Sequence, residues 1–237
     1  DYGMIGIAIA FPTGRFHATP WGRHVNEAAP EWPPSPWRIL RALVATWKRT
    51  LDNDDPCDTQ VVERLIRKLA HPPVFVLPQA STSHTRHFMP WFKKGPADRT
   101  LVFDGFVALD KMHGLICLWR DAVLDVQERR ALDRILTNLG FLGRAESWVE
   151  ARVLTEAEAA YADERVNCMP LETNHDRTRY DAVRVLCAHP ETAFTNDHTP
   201  KHQETAGRGR ARQIMETPLY DPDWHLCMET LELHGKR

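Results

Sequence analysis

No apolar run in this sequence approaches the roughly 18 residues needed to span a bilayer, and no basic, apolar and small-residue order opens it as a signal peptide would. A membrane partner is not expected, and a soluble cytoplasmic protein is the default. Cysteine is sparse and scattered. Cys57, Cys117, Cys168, Cys187 and Cys227 form no close pair, so neither a disulfide framework nor a Cys-x-x-Cys zinc knuckle is signalled, and they read as reduced, mostly buried thiols. A Walker loop, a Gly-x-Ser-x-Gly nucleophile elbow and a dinucleotide fingerprint are missing, and no cofactor is expected. An excess of one charge is missing too. The 30 Lys and Arg residues face 32 Asp and Glu, a net charge of -2, so overall composition announces no polyanionic partner.

What is present is enough apolar surface for a core: 43% of 237 residues are hydrophobic, a length between one large domain and two small ones. Disorder is excluded as the main state. The neutral average hides a division. Residues 1 to 100 carry 13 basic and 9 acidic side chains with five histidines, whereas residues 101 to 237 carry 17 and 23. A polyanion site therefore belongs to the first half. Five of the eight tryptophans (Trp21, Trp32, Trp37, Trp47, Trp91) fall there as well, and rings interleaved with cations are what unpaired bases and their phosphates require. The chain begins at Asp1 and ends on Lys236-Arg237, and is expected to be a piece of something longer.

Large and small residues alternate over MIGIAIAF (4 to 11), which predicts a strand with one face on helices. The following loop closes on APEWPPSP, whose four prolines exclude helix and central strand. Ser35 then reads as an N-cap with Pro36 at the first helical position, and Ile39, Leu40, Leu43, Val44 and Trp47 share one face of a helix to about residue 50. Val62, Leu65, Ile66 and Leu69 predict a second helix after the acidic turn DNDDPCD. PVFVLP reads as a short strand, and the segment from about 79 to 98 as a projecting β-hairpin or long loop. RTLVFDGFVALD and GLICLW are expected to pair as a second hairpin across DKMHG. Asp125 with Glu128 resembles a capping box, ahead of a helix stripe at Leu132, Ile135, Leu136 and Leu139. SWVEARVL supplies a closing strand. The order suits an α+β, ferredoxin-like (RRM-like) sandwich over residues 1 to 155. Residues 156 to 237 are expected as an extension. They include a short capped helix from Thr155, a strand at YDAVRVLCAH, and a mobile linker at HTPKHQETAGRGRARQ.

Two segments carry candidate chemistry. From Gly14 to Arg41, Arg15, His17, Arg23, His24, Arg38 and Arg41 outnumber Glu27 and Glu31, between a strand end and a helix N-terminus that already favours anions. One reading is a phosphate cradle with Trp21 and Trp32 as stacking platforms. The other has Arg38 and Arg41 on a solvated helix face, with the tryptophans and prolines packed as a rigid elbow. In the second segment His84, Arg86, His87, Lys93 and Lys94 alternate with Phe88, Met89, Trp91 and Phe92, the makings of a basic arm with an apolar tip, suited to RNA or to a protein partner. His17 and His24 are the weak catalytic candidates for metal-free RNA cleavage. His84-x-x-His87 lacks companion ligands, so no metal is expected.

The stretches GRFHATPWGRHVNEAAPEWPPSPWRILRALVATWKR and LGFLGRAESWVEARVL closely resemble the N-terminal half of the Csb-two subunit of type I-G (formerly I-U) CRISPR systems, a fusion of a Cas-five-like with a Cas-six-like domain. The resemblance covers residues 3 to 155. It implies an RRM-like cap on one end of the crRNA-guided Cascade surveillance complex of prokaryotic antiviral defence, resident in the cytoplasm. The crRNA 5' handle would lie against Gly14 to Arg41, with Arg144 as a further RNA contact and His84 to Lys94 as a thumb over the backbone subunit. The backbone and large subunits and the Cas-six-like half would be the protein partners, and target DNA an indirect one. The Cas-six-like half would process precursor crRNA. It is absent here or reduced to the tail, so this chain by itself is not expected to be the nuclease, a metal-independent endoribonuclease being the alternative.

Overall fold

The structure, a computed structural model, describes residues 3–20, 23, 27–51, 58–90, 99–170, 180–188, 201–206, 213–218 and 228–236. The chain opens on β1 (Ile5–Ala10), whose Ile5, Ile7 and Ile9 are buried on one face as their alternation requires, and then makes the two-residue β2 (Arg15–Phe16). Ser35 caps α1 (Pro36–Thr50), its hydroxyl accepting the Arg38 N–H at 3.2 Å, and Ile39, Leu40, Leu43, Val44 and Trp47 form the buried stripe. Next come α2 (Thr59–Leu69), β3 (Val74–Val76), β4 (Ala80–Pro90), β5 (Arg99–Leu109) and β6 (Leu115–Trp119). The expected capping box opens α3 (Val126–Thr137): Asp125 accepts the Glu128 N–H, and Glu128 accepts that of Asp125. Glu128 is fully buried and takes Lys68 Nζ at 2.6 Å, so a charge on α2 docks α3. After β7 (Glu150–Val153), Thr155 caps α4 (Glu156–Asp163), and the remaining strands are β8 (Cys168–Pro170), β9 (Tyr180–Ala188), β10 (Lys201–Ala206), β11 (Gln213–Pro218) and β12 (Met228–Lys236).

Seven strands form one sheet in the order β7-β1-β6-β3-β8-β12-β9, every neighbouring pair antiparallel, so the fold is α+β. The residues after 155, expected as an extension, add β8, β12 and β9 to its edge. α1, α2 and α3 bury their stripes with Ile5, Ile7, Ile9 and Phe75 on one face. α4 covers the other, where Ala159 and Ala162 meet Val74, Val76 and Leu118. Cys117, Cys168 and Cys187 are buried without a disulfide, and burial pushes the Cys168 thiol up to about 12. Among the described residues no helix is long and apolar enough to cross a membrane.

Two expectations fail. β5 does not pair with β6 across DKMHG. It pairs over eleven positions with β4 and at its inner end with β2, while β6 lies between β1 and β3, because the longer ladder outweighs the shorter one a tight turn offers. The expected linker at HTPKHQETAGRGRARQ contains paired backbone, since Lys201–Ala206 runs antiparallel to Gln213–Pro218, with residues 207–212 outside the described set. Polar composition hid a ladder that needs only backbone groups.

Candidate nucleic-acid interface

β4 and β5 make an arm. β4 is exposed along its whole length and packs on β5. The register puts His84, Arg86 and Phe88 on one face, opposite Gly105, Phe103 and Leu101. There the Arg86 guanidinium stands 5.2 Å over the Phe103 ring, the His84 ring lies 6.0 Å from it, and Phe88 is 66% exposed. Thr85, His87 and Met89 share the other face with Asp104, Val102 and Thr100. Trp91, Phe92, Lys93 and Lys94, expected at the tip, lie outside the described residues.

The base of the arm is enclosed by the proline-rich loop and by the turn at 142–147. Gly105 lets the loop in, for a Cβ there would collide with the Ala28 carbonyl oxygen. Glu31, 5% exposed, organises the loop. Its backbone N–H donates to Ala18 O at 2.8 Å, and its carboxylate accepts the Ser35 N–H at 2.8 Å and Arg38 Nε at 2.7 Å. Arg38 also donates to Thr19 O at 3.0 Å. The guanidinium expected to hold phosphate thus tethers the loop to α1. Trp32 is half-buried with its ring 5.9 Å from that of Phe16.

His17 sits at the centre. Its ring is buried, with Nδ1 2.6 Å from Glu146 Oε1 and Nε2 3.1 Å from Asp104 Oδ1, and Arg144 Nη1 reaches the same Asp104 oxygen at 3.0 Å. Partial burial pushes the Glu146 carboxyl up. Its own backbone N–H, the His17 contact and the Arg144 charge outweigh that and hold it below the usual glutamate range. Both nitrogens of His17, the weak candidate base, are thus engaged by carboxylates, Glu146 at Nδ1 and Asp104 at Nε2. His17, Asp104 and Glu146 bring potential ligand atoms within 4.8 Å of one another. They do not fit one ion: two donors at about 2.0 to 2.2 Å from a tetrahedral metal stand about 3.4 Å apart, and the carboxylates here approach opposite ring nitrogens at hydrogen-bonding distance.

Of the other expected residues, Arg15 lies 4.0 Å over Phe106 beside the arm, Arg41 stands 5.8 Å over Trp37 on α1, and Arg23 is exposed in an ion pair with Glu27. Trp21 and His24 lie outside the described residues. Asp104, Glu146, Glu31, Phe103 and Phe106 were not anticipated, since a search for cations and rings passes over the acids that orient them. The alternation His84-x-Arg86-x-Phe88 against Leu101-x-Phe103-x-Gly105 was the available signal for the arm's face.

No family model matches the chain, and no curated protein matches it. It is similar to a CRISPR protein from Archaeoglobus fulgidus, whose crystal structure aligns with a TM-score of 0.33 at 11% identity over 99% of this chain and 92% of that one. A likeness at that level fixes neither fold nor function.

Proposed function

We propose that this chain holds an unpaired RNA strand against its arm, as the crRNA 5'-handle-binding cap of a type I-G CRISPR Cascade complex, the assembly its N-terminal motifs resemble. The observation that carries the reading is the open face on which Arg86 and His84 flank Phe103 and Phe88 stands exposed, cations and rings alternating at strand spacing. The strand order adds support. β1, α1 and β3, then β6, α3 and β7, place four strands in the order fourth, first, third, second, as in a ferredoxin-like or RRM-like sandwich. On this reading the backbone and large subunits dock beside the arm, and any processing of precursor crRNA belongs to a Cas-six-like half.

Fluorescence anisotropy with a labelled single-stranded repeat RNA, from about 50 to 200 mM salt, tests the proposal. Phe88→Ala should weaken binding by about 5- to 150-fold, the worth of one stacked base. Arg86→Ala should also reduce the salt slope by about 0.7. No binding by the unmodified chain, or variants that bind like it, would overturn the reading.

A further inference from the structure

The arm meets the rest of the protein through very little. β2 gives β5 only two paired residues, Arg15↔Ala108 and Phe16↔Val107, and stops. Beyond them, among the described residues, β5 pairs with β4 alone and β4 with β5. A two-stranded ribbon leaving a sheet in this way pivots at its root unless side chains hold it. The root carries Gly105, with the Ala28 backbone against one face. On the other face stands Asp104. Among the described residues it is the outermost arm residue with a hydrogen bond or ion pair to the sandwich.

The two groups that meet Asp104 are themselves immobilised. The His17 N–H donates to Ser147 Oγ at 2.8 Å, and the His17 carbonyl accepts the Arg144 N–H at 2.8 Å. Gly143, at φ +86°, lets the turn close on that carbonyl, because a Cβ there would stand 2.6 Å from His17 O. The turn at 142–147, which follows α3, is thus zipped to residue 17, and both segments reach Asp104 from that platform. Arg144 Nη1 is held on Asp104 Oδ1 at 3.0 Å, which ties its guanidinium to the root of the arm.

We infer that His17 and Arg144 are positioning residues, a clamp on Asp104 that sets the direction of the arm, and that Arg144 does not contact RNA. The consequence for binding rests on the proposed RNA reading; the clamp itself does not. It makes a prediction opposite in sign to simple electrostatics. Removing an acid beside a polyanion site should tighten binding. Asp104→Asn should instead weaken it, because the arm's contacts lose their alignment.

Two measurements on the full chain decide this. The first is RNA anisotropy with Asp104→Asn, Arg144→Gln, the double variant, and Glu146→Gln at a half-exposed position that tolerates the change. The second needs no RNA. Spin labels at Leu101→Cys on the arm and Arg130→Cys on α3, with Cys57→Ser and Cys227→Ser, report the distance between arm and sandwich. The clamp predicts a broadened distance distribution for Asp104→Asn and a smaller broadening for Glu146→Gln. It also predicts about three- to tenfold weaker RNA binding for Asp104→Asn, with the double variant no worse than the worse single one. Unchanged distances overturn it. So does tighter binding by Asp104→Asn with a salt slope lowered by about 0.7 in Arg144→Gln, the pattern of a direct phosphate contact. If the unmodified chain binds no RNA, the proposed function falls, and the distances alone still decide the clamp.

Discussion

Glu31 shows how a residue's neighbours decide its role. It is the only acid besides Glu27 in a stretch crowded with cations, and the structure buries it and spends Arg38 on it. A carboxylate taken from water is tolerated only when its oxygens are met, and here the Ser35 N–H and the Arg38 fork meet them. Removing it leaves a guanidinium and an N–H without acceptors, so Glu31→Ala should cost about 3 kcal/mol in urea unfolding. A loss below about 1 kcal/mol would mean that the loop is held by something else. Glu146 makes a pH prediction. Its carboxyl is held below its ordinary value in the folded chain, so its contribution is present above the unfolded value and disappears as pH falls through the folded one. The difference in urea midpoint between the unmodified chain and Glu146→Gln should therefore shrink as the pH falls below the ordinary glutamate value of about 4.3. A difference independent of pH would remove the ion pair with His17 as its source.

Among the elements, helices were legible because their signals are local. The Ser35-Pro36 start, the Asp125/Glu128 box and the i, i+3, i+4 stripes lie within a few residues of what they specify. Strand pairing was less so. Local pattern predicts the arm as an excursion over 79 to 98 but pairs β5 with β6, since alternation within β5 says nothing about which partner it takes. The register now suggests a clean deletion. Thr85 faces Asp104, so joining them through Asn-Gly removes residues 86–103 and closes a two-residue hairpin. The shortened chain should melt cooperatively within about 2 °C of the original, because the described residues of the excised part are exposed or half-exposed, yet lose at least about tenfold in RNA affinity. A fall of more than about 10 °C would mean that the arm helps to hold the sandwich together.

At the scale of the whole molecule, the antiparallel sheet carries α1, α2 and α3 on one face and α4 on the other, while the arm stands on a smaller sheet of its own. The division of charge along the chain points to the first half, but the structure draws Arg144 and Glu146 from the second half into the same cluster as His17. Sequence alone determined the α+β class, the helices with their caps and stripes, the buried cysteines, and the basic, ring-bearing character of the arm. Each of these is set by periodicity or composition within a short window. Only the tertiary structure decided that Arg38 serves Glu31, that His17 lies between two carboxylates, and that β5 belongs to the arm. Those outcomes depend on partners up to 129 positions apart, brought to about 3 Å by folding and unreadable in any local pattern.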